Sequence, residues 1–151
     1  MRGARQPKVK KKDLPPLLTP FVIVFILITA CACNSTKVAD NASKLVIDFE
    51  WTKKSACSSI SPPITVTNIP QETKYLRVMM VDLNYLVYDH GGGEVAYNGS
   101  RIIMEGALES YAGPCPPGET HSYQITVQAL SADKKLILGH GYAVKKYPGG
   151  G

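Results

Sequence analysis

Apolar and polar residues alternate along several short segments of the chain. In residues 45–51 every second side chain is aliphatic or aromatic, and this period of two is typical of a strand with one buried face. Three further segments repeat the pattern and two more predict closing strands: 64–67, 75–81, 123–130, 136–138 and 141–144. Prolines and glycines separate the segments, and no long stretch shows the 3.6-residue period of a capped helix. We therefore predict an all-β domain with little helix, built as a sandwich or a barrel.

The start of the chain has a different pattern, which is typical of an export signal. A basic run at residues 8–12 precedes a continuous apolar stretch at residues 21–28, and small residues follow it. The next four residues, Ile-Thr-Ala-Cys ending at Cys31, resemble the lipobox of bacterial lipoproteins, whose cysteine becomes lipid-modified and, after cleavage, N-terminal. We therefore predict a lipoprotein signal peptide at residues 1–30 and lipidation of Cys31.

The lipobox interpretation has an alternative, which is a membrane anchor that is not cleaved. The uninterrupted run from residue 21 to residue 33 has 13 residues, whereas a helix needs about 20 to cross the hydrocarbon core. The cleaved lipoprotein is therefore preferred. Because Ala32 and not aspartate follows Cys31, the resemblance to lipoproteins of Gram-negative bacteria implies a position in the outer membrane, facing the periplasm.

Beyond the predicted cleavage site the chain divides into a tether and one domain. Residues 31–44 are small and polar, which suits a flexible connection between an acylated cysteine and a folded body. The strand pattern begins at residue 45, and we place the domain at residues 45–148. The length of the chain suits a single domain of ordinary size.

Most of the net charge belongs to the predicted signal peptide. The sequence has 17 Lys and Arg residues against 12 Asp and Glu residues, which gives a net charge of +5. Six of the basic residues and one of the acidic residues precede residue 31, so the remainder carries 11 residues of each sign. A neutral body without a basic stripe offers little to a phosphate backbone, and we expect no nucleic-acid partner.

Export would place the cysteines in an oxidising compartment, where disulfides form. With Cys31 lipidated, three cysteines remain, and Cys33 lies beside the lipid in the predicted tether. A bond between Cys57 and Cys115 would close a loop of about 60 residues and stabilise the domain by about 3 to 4 kcal/mol. The alternative is that Cys57 and Cys115 are free, buried thiols.

Two proline-rich loops resemble the signatures of one protein family. The first is Ser-Pro-Pro-Ile at residues 61–64, followed by Asn-Ile-Pro at residues 68–70. The second is Tyr-Ala-Gly-Pro-Cys-Pro-Pro-Gly at residues 111–118, followed by His-Ser-Tyr at residues 121–123. With a strand that ends in Asp82, they follow the order found in phosphatidylethanolamine-binding proteins. The chain resembles a short lipoprotein member of the bacterial Raf kinase inhibitor-like branch, and this implies an antiparallel β-sandwich.

The resemblance also implies a small ligand pocket. Members of the family place a histidine from each of two loops, an aspartate, a tyrosine and a Gly-Pro backbone around one cavity. The corresponding residues of this chain are Asp82, His90, Gly113, Pro114, His121 and Tyr123. A protonated imidazole donates from both ring nitrogens, so a histidine pair favours an oxyanion such as phosphate or carboxylate. We therefore expect a small anionic or phospholipid head-group ligand, with no metal and no other cofactor.

The sequence departs from the family pattern on one side of the expected pocket. Asp-Leu-Asn-Tyr at residues 82–85 stands where the family has Asp-Pro-Asp-x-Pro, and Tyr-Asp-His-Gly-Gly-Gly at residues 88–93 replaces a tryptophan-rich stretch with a pocket histidine. After residue 130 a tight turn replaces a helix of the longer bacterial members. The resemblance therefore implies a compact branch of the family.

These residues favour binding over catalysis. The sequence has no Gly-x-Ser-x-Gly elbow, no His-x-x-x-His pair and no phosphate-binding glycine loop, and three scattered histidines are weak support for zinc. We expect a non-enzymatic, membrane-anchored protein that acts as an inhibitor or regulator by binding, and that could also engage a protein partner. The alternatives are an envelope structural or adaptor protein with a vestigial pocket, and a hydrolase.

Overall fold

Residues 35–149, which the computed structural model describes, fold into two β-sheets. The strands of this range are β1 (Lys37–Lys44), β2 (Val46–Phe49), β3 (Ile64–Thr67), β4 (Tyr75–Asp82), β5 (Asp89–Ala96), β6 (Ile102–Ile103), β7 (Ser110–Tyr111), β8 (His121–Leu130) and β9 (Leu136–Tyr147). Sheet A has six strands in the order β1-β9-β8-β4-β5-β7, and sheet B has three in the order β2-β3-β6. The predicted all-β class is confirmed, since no helix forms within this range.

The core lies between the two sheets and explains the alternation in the sequence. On β4, the buried apolar residues are Leu76, Val78 and Met80, and the residues between them face outward. Ile64 and Val66 of β3 are fully buried in the same cluster. Successive side chains of a strand point to opposite faces, so one face of each sheet fills the core. Each such side chain contributes about 1.5 to 3 kcal/mol by its burial.

The flexible tether predicted for residues 31–44 is wrong over residues 37–44, which form β1. This strand pairs in parallel with β9, with Lys37 opposite Leu136, so sheet A is mixed and not purely antiparallel. Its side chains are mostly exposed, because β1 is the edge strand of sheet A. An edge strand of polar residues lacks the apolar alternation that reveals a buried strand. The folded body therefore begins before residue 45, which is the predicted start of the domain.

Strand β5 contains a glycine run that gives no strand signal in the sequence. A Cβ atom on Gly91 would lie 1.8 Å from the carbonyl oxygen of Ser110, and one on Gly92 would lie 2.0 Å from that of Val78. Both glycines also have positive φ angles. Glycine is therefore needed here for β4 and β7 to approach β5 closely. The strand matters for the site, because it holds His90.

A disulfide joins Cys57 to Cys115, as expected, with a Cα–Cα distance of 4.6 Å. It fastens the segment before β3 to the proline-rich loop between β7 and β8. The predicted signal peptide, Cys31 and Cys33 lie outside the described residues. In the part of the chain that is described, none of the segments is a helix of the length and apolar character needed to cross a membrane.

Removing the disulfide should destabilise the domain without changing its fold. Because the bond closes a loop with a sequence separation of 58, the double variant Cys57→Ser/Cys115→Ser should lose about 4 kcal/mol of unfolding free energy in urea. Addition of a thiol reductant should lower the stability of the wild type toward that of the variant and leave the variant unchanged. A reductant effect of equal size in both proteins would contradict this account.

Candidate functional site

The register of three neighbouring strands brings the predicted polar residues to one end of sheet A. Asp82 ends β4 and lies directly opposite Tyr123 of β8. Since side chains two apart share a face of a strand, Asp82 continues the inward row of β4, and His121 lies on the same side of β8 as Tyr123. His90 is near the start of β5, on the other side of β4.

The carboxylate of Asp82 is almost fully buried and is held by several donors. His121 Nδ1 donates to Asp82 Oδ2 at 2.6 Å. The backbone N–H groups of Asn84 and Tyr85 donate to Oδ1 at 2.8 and 3.2 Å. Burial raises the pKa of Asp82, but the hydrogen bonds from His121 and from the Asn84 N–H outweigh it, so the pKa lies below its usual value. Asp82 is therefore a charged anchor for the His121 ring.

His90 is fixed by a different acceptor. Its Nδ1 lies 2.7 Å from the carbonyl oxygen of Ala112, and because a carbonyl can only accept, Nδ1 carries the proton. Its ring packs against Tyr88 and the edge of Tyr123, with centroid distances of 4.7 and 5.3 Å. Nδ1 is thus engaged in both His90 and His121, and Nε2 is the ring nitrogen left for a ligand.

Tyr123 lies between the two histidines. Its ring is 5.3 Å from that of His90 and 6.3 Å from that of His121. Burial raises its pKa strongly, and the neighbouring Asp82 carboxylate raises it further. The phenol therefore keeps its proton and is a hydrogen-bond donor.

These side chains line one open cavity of about 440 Å³. Four of the six residues predicted for the ligand lie in its wall, namely Asp82, His90, His121 and Tyr123. The other lining residues were not predicted for the site and are Tyr85, Tyr88, Cys115, Pro116 and Pro117. The two prolines and Cys115 belong to the proline-rich motif, so this motif could have identified them as site residues. The two tyrosines fall in the segments that depart from the family pattern, so the resemblance gave no role to transfer.

Gly113 and Pro114 do not line this cavity, in contrast to their predicted role. The N–H of Gly113 donates to the carbonyl of Ser58 at 2.7 Å, and a Cβ atom there would lie 2.1 Å from the carbonyl oxygen of Ser55. Pro114 is fully buried, and its carbonyl accepts from the N–H of Cys57 at 2.9 Å. Both residues instead pack the proline-rich loop against the segment that contains Cys57.

Other candidate chemistry is not assembled in the described range. His140 lies on β9 opposite Gln128 and is not part of the cavity wall. Between residues 35 and 149, no three His, Cys, Asp or Glu residues are grouped in a way that could hold a metal ion.

Solved structures with a similar fold include two from bacteria. A phosphatidylethanolamine-binding protein homologue from Chlamydia trachomatis has a TM-score of 0.53 and 19% identity, over 78% of this chain and 99% of its own. YbcL from Escherichia coli, described as a member of the mammalian phosphatidylethanolamine-binding protein family, has a TM-score of 0.52 and 15% identity, over 70% and 99%. No protein-family model and no curated protein sequence matches the chain. The chain therefore has the fold of phosphatidylethanolamine-binding proteins, as its motifs imply.

Replacing the Asp82 carboxylate should remove a pH-dependent part of the stability. The folded-state pKa lies below the unfolded value of 3.8, so this contribution is complete at neutral pH and is lost as the pH falls through the folded-state pKa. Asp82→Asn should lower the free energy of unfolding by about 2 kcal/mol at pH 7, and the difference from wild type should narrow as the pH falls from 5 through the folded-state pKa.

Urea unfolding across this pH range measures the effect, and Asp40→Asn is the matched control. Asp40 is exposed on the edge strand β1, so its replacement should change stability by less than about 0.5 kcal/mol. A constant difference between Asp82→Asn and wild type at all pH values would show that the charge of Asp82 does not stabilise the fold.

Proposed function

We propose that this chain is a ligand-binding protein whose cavity takes a small group that bears a phosphate or a carboxylate. The observation that carries the proposal is the pair of imidazoles in one cavity wall, His90 and His121, each with Nδ1 held by the protein. The remaining ring nitrogen of each becomes a second donor when the ring is protonated, and two such donors suit an oxyanion.

The charge of the cavity determines when an anion would bind. The described lining residues include Asp82 but no Lys or Arg, so protonated histidine is the only source of positive charge in the wall. The oxygens of Asp82 already accept from His121, Asn84 and Tyr85. A protonated His121 would balance the Asp82 charge, and a protonated His90 would favour the ligand. Binding of phosphate should therefore depend on the two imidazoles and not on a Lys or Arg of the described wall.

The cavity is better suited to binding than to catalysis. Cys115 is a cysteine of the cavity wall. Because its sulfur is bonded to that of Cys57, it cannot act as a nucleophile. The raised pKa of Tyr123 keeps its phenol protonated. The open volume also argues against a vestigial, closed pocket in a purely structural or adaptor protein.

The fold suggests the class of ligand. The two solved proteins compared above are named for phosphatidylethanolamine binding, and a phospholipid head group carries the phosphate that the imidazole pair favours. We propose the same class of ligand for this chain. Regulation of a protein partner through the same cavity is a further proposed role.

The proposal includes a location. Residues 1–30 act as a lipoprotein signal peptide, and Cys31 carries the acyl chains that hold the domain at the outer membrane, facing the periplasm. Each buried methylene of an acyl chain contributes about 0.8 kcal/mol to membrane binding.

Titration with inorganic phosphate or phosphoethanolamine, followed by imidazole NMR signals, tests the ligand proposal. The chain has three histidines, and the signals of His90 and His121 should shift while that of His140 stays unchanged. A larger affinity for phosphoethanolamine than for phosphate would identify the head group as the source of the anion.

Two variants sharpen this test. His121→Ala should abolish the phosphate-induced shift of His90, and His140→Ala should leave it as in the wild type. If millimolar phosphate shifts none of the three imidazole signals at pH 6, the proposed anion pocket is wrong.

The lipid anchor is tested by metabolic labelling with a radioactive fatty acid. Cys31→Ser should abolish incorporation of the label, and acyl chains should no longer hold the domain at the membrane. Cys33→Ser should still be labelled. Equal labelling of the Cys31→Ser variant and the wild type would contradict the proposed lipobox.

A further inference from the structure

A short loop at the edge of the cavity exposes an unusual amount of apolar surface. This rim loop consists of residues 83–88, Leu-Asn-Tyr-Leu-Val-Tyr, between β4 and β5. Leu86 is 70% exposed and Val87 is 81% exposed, and three further apolar or aromatic side chains of the loop are more than 40% exposed. Single exposed apolar residues are common, but a contiguous exposed set indicates a surface that contacts something else.

Four of the six backbone N–H groups of the rim loop donate hydrogen bonds, and their acceptors are Ser122, Asp82 and the loop itself. The N–H of Leu83 donates to the carbonyl of Ser122 at 2.8 Å, and that of Asn84 donates to Asp82 Oδ1 at 2.8 Å. The N–H of Tyr85 donates to Asp82, and that of Tyr88 donates to the carbonyl of Tyr85 at 3.2 Å. Polar groups that are already paired cost little free energy when water is removed from around them. These pairs fix the base of the loop, whereas the backbone N–H groups of Leu86 and Val87 at its tip make no hydrogen bond within the described residues.

The charges at the rim loop define the kind of surface that fits it. No side chain of residues 83–88 is charged, and the bordering residues Asp82 and Asp89 are both acidic. A highly anionic surface would be repelled by Asp89, which is exposed. A zwitterionic lipid surface requires no basic residues.

The order of side chains in the loop also matches a lipid interface. Leu86 and Val87 form the exposed tip, and a tyrosine stands on each side of them. Tyrosine favours the head-group level of a bilayer, where its ring is in an apolar layer and its hydroxyl is hydrated. Tyr85 and Tyr88 also line the cavity, so the apolar tip and the proposed anion pocket are continuous.

We propose that the rim loop docks on a bilayer of zwitterionic phospholipid, with the side chains of Leu86 and Val87 inserted among the upper acyl-chain segments. Their backbone and the opening of the cavity then lie at the hydrated level of the head groups. The identity of the ligand as a membrane head group rests on the proposed function, whereas the insertion of the loop does not. The cavity would then take its ligand at the lipid surface.

Depth-dependent fluorescence quenching tests the insertion in the full chain. Val87→Trp places a reporter at the tip, and Met104→Trp places one at a similarly exposed residue of the segment after β6, where Met104 is 68% exposed. The native Trp51 contributes the same background to both and is measured in the wild type. On vesicles of phosphatidylcholine brominated in the acyl chains, quenching should be about threefold stronger for Val87→Trp than for Met104→Trp. Because both variants share one N-terminal segment, any anchor there acts on both equally.

A second substitution distinguishes membrane docking of the rim loop from anion binding in the cavity. Leu86→Asp in the Val87→Trp background should reduce the quenching to the level of Met104→Trp, whereas Ile102→Asp in the same background should not. Leu86→Asp should still show the phosphate-induced shifts of His90 and His121. Persistent quenching without any phosphate shift would support the docking of the loop while contradicting the proposed function.

Quenching of Val87→Trp that does not exceed that of Met104→Trp would overturn the bilayer proposal. It would instead favour a protein as the partner of the rim loop.

Discussion

The hydrogen bond between Asp82 and His121 is the interaction on which the site depends. It joins the last residue of β4 to the first residue of β8, and the same carboxylate accepts from the N–H groups that begin the rim loop. A buried carboxylate without these donors would be costly, so the partners hold one another in place. The orientation of His121, the turn after β4 and the open side of the cavity thus follow from one charged group.

The central strands could be predicted from the sequence because the core imposes a period of two on them. β3 has the predicted bounds, and β4 and β8 extend the predicted segments by only one or two residues. β1 and β5 were missed for physical reasons: β1 is a polar edge strand, and β5 is rich in glycine because β4 and β7 approach it closely. Neither strand buries an alternating row of apolar side chains, so neither leaves that pattern in the sequence.

The residues of the site also divide into those that the sequence predicts and those that it does not. Asp82, His121 and Tyr123 could be placed together because they belong to strand ends that the motifs mark, and the structure puts them in one wall with His90. Gly113 shares the proline-rich motif but serves the packing of that loop against Ser55. A motif records which residues a fold requires, and it does not distinguish those that face the ligand from those that shape the loop. Tyr85 and Tyr88 reach the cavity through a turn whose geometry no sequence pattern specified.

The length of β9 has a mechanical consequence. Its first residue is opposite Lys37, where the described chain joins sheet A, and its last residue, Tyr147, is opposite His121 beside the cavity. The strand separates these points by about 36 Å. Whatever contacts the cavity end of sheet A is therefore separated by the full length of β9 from the point where β1 enters the sheet.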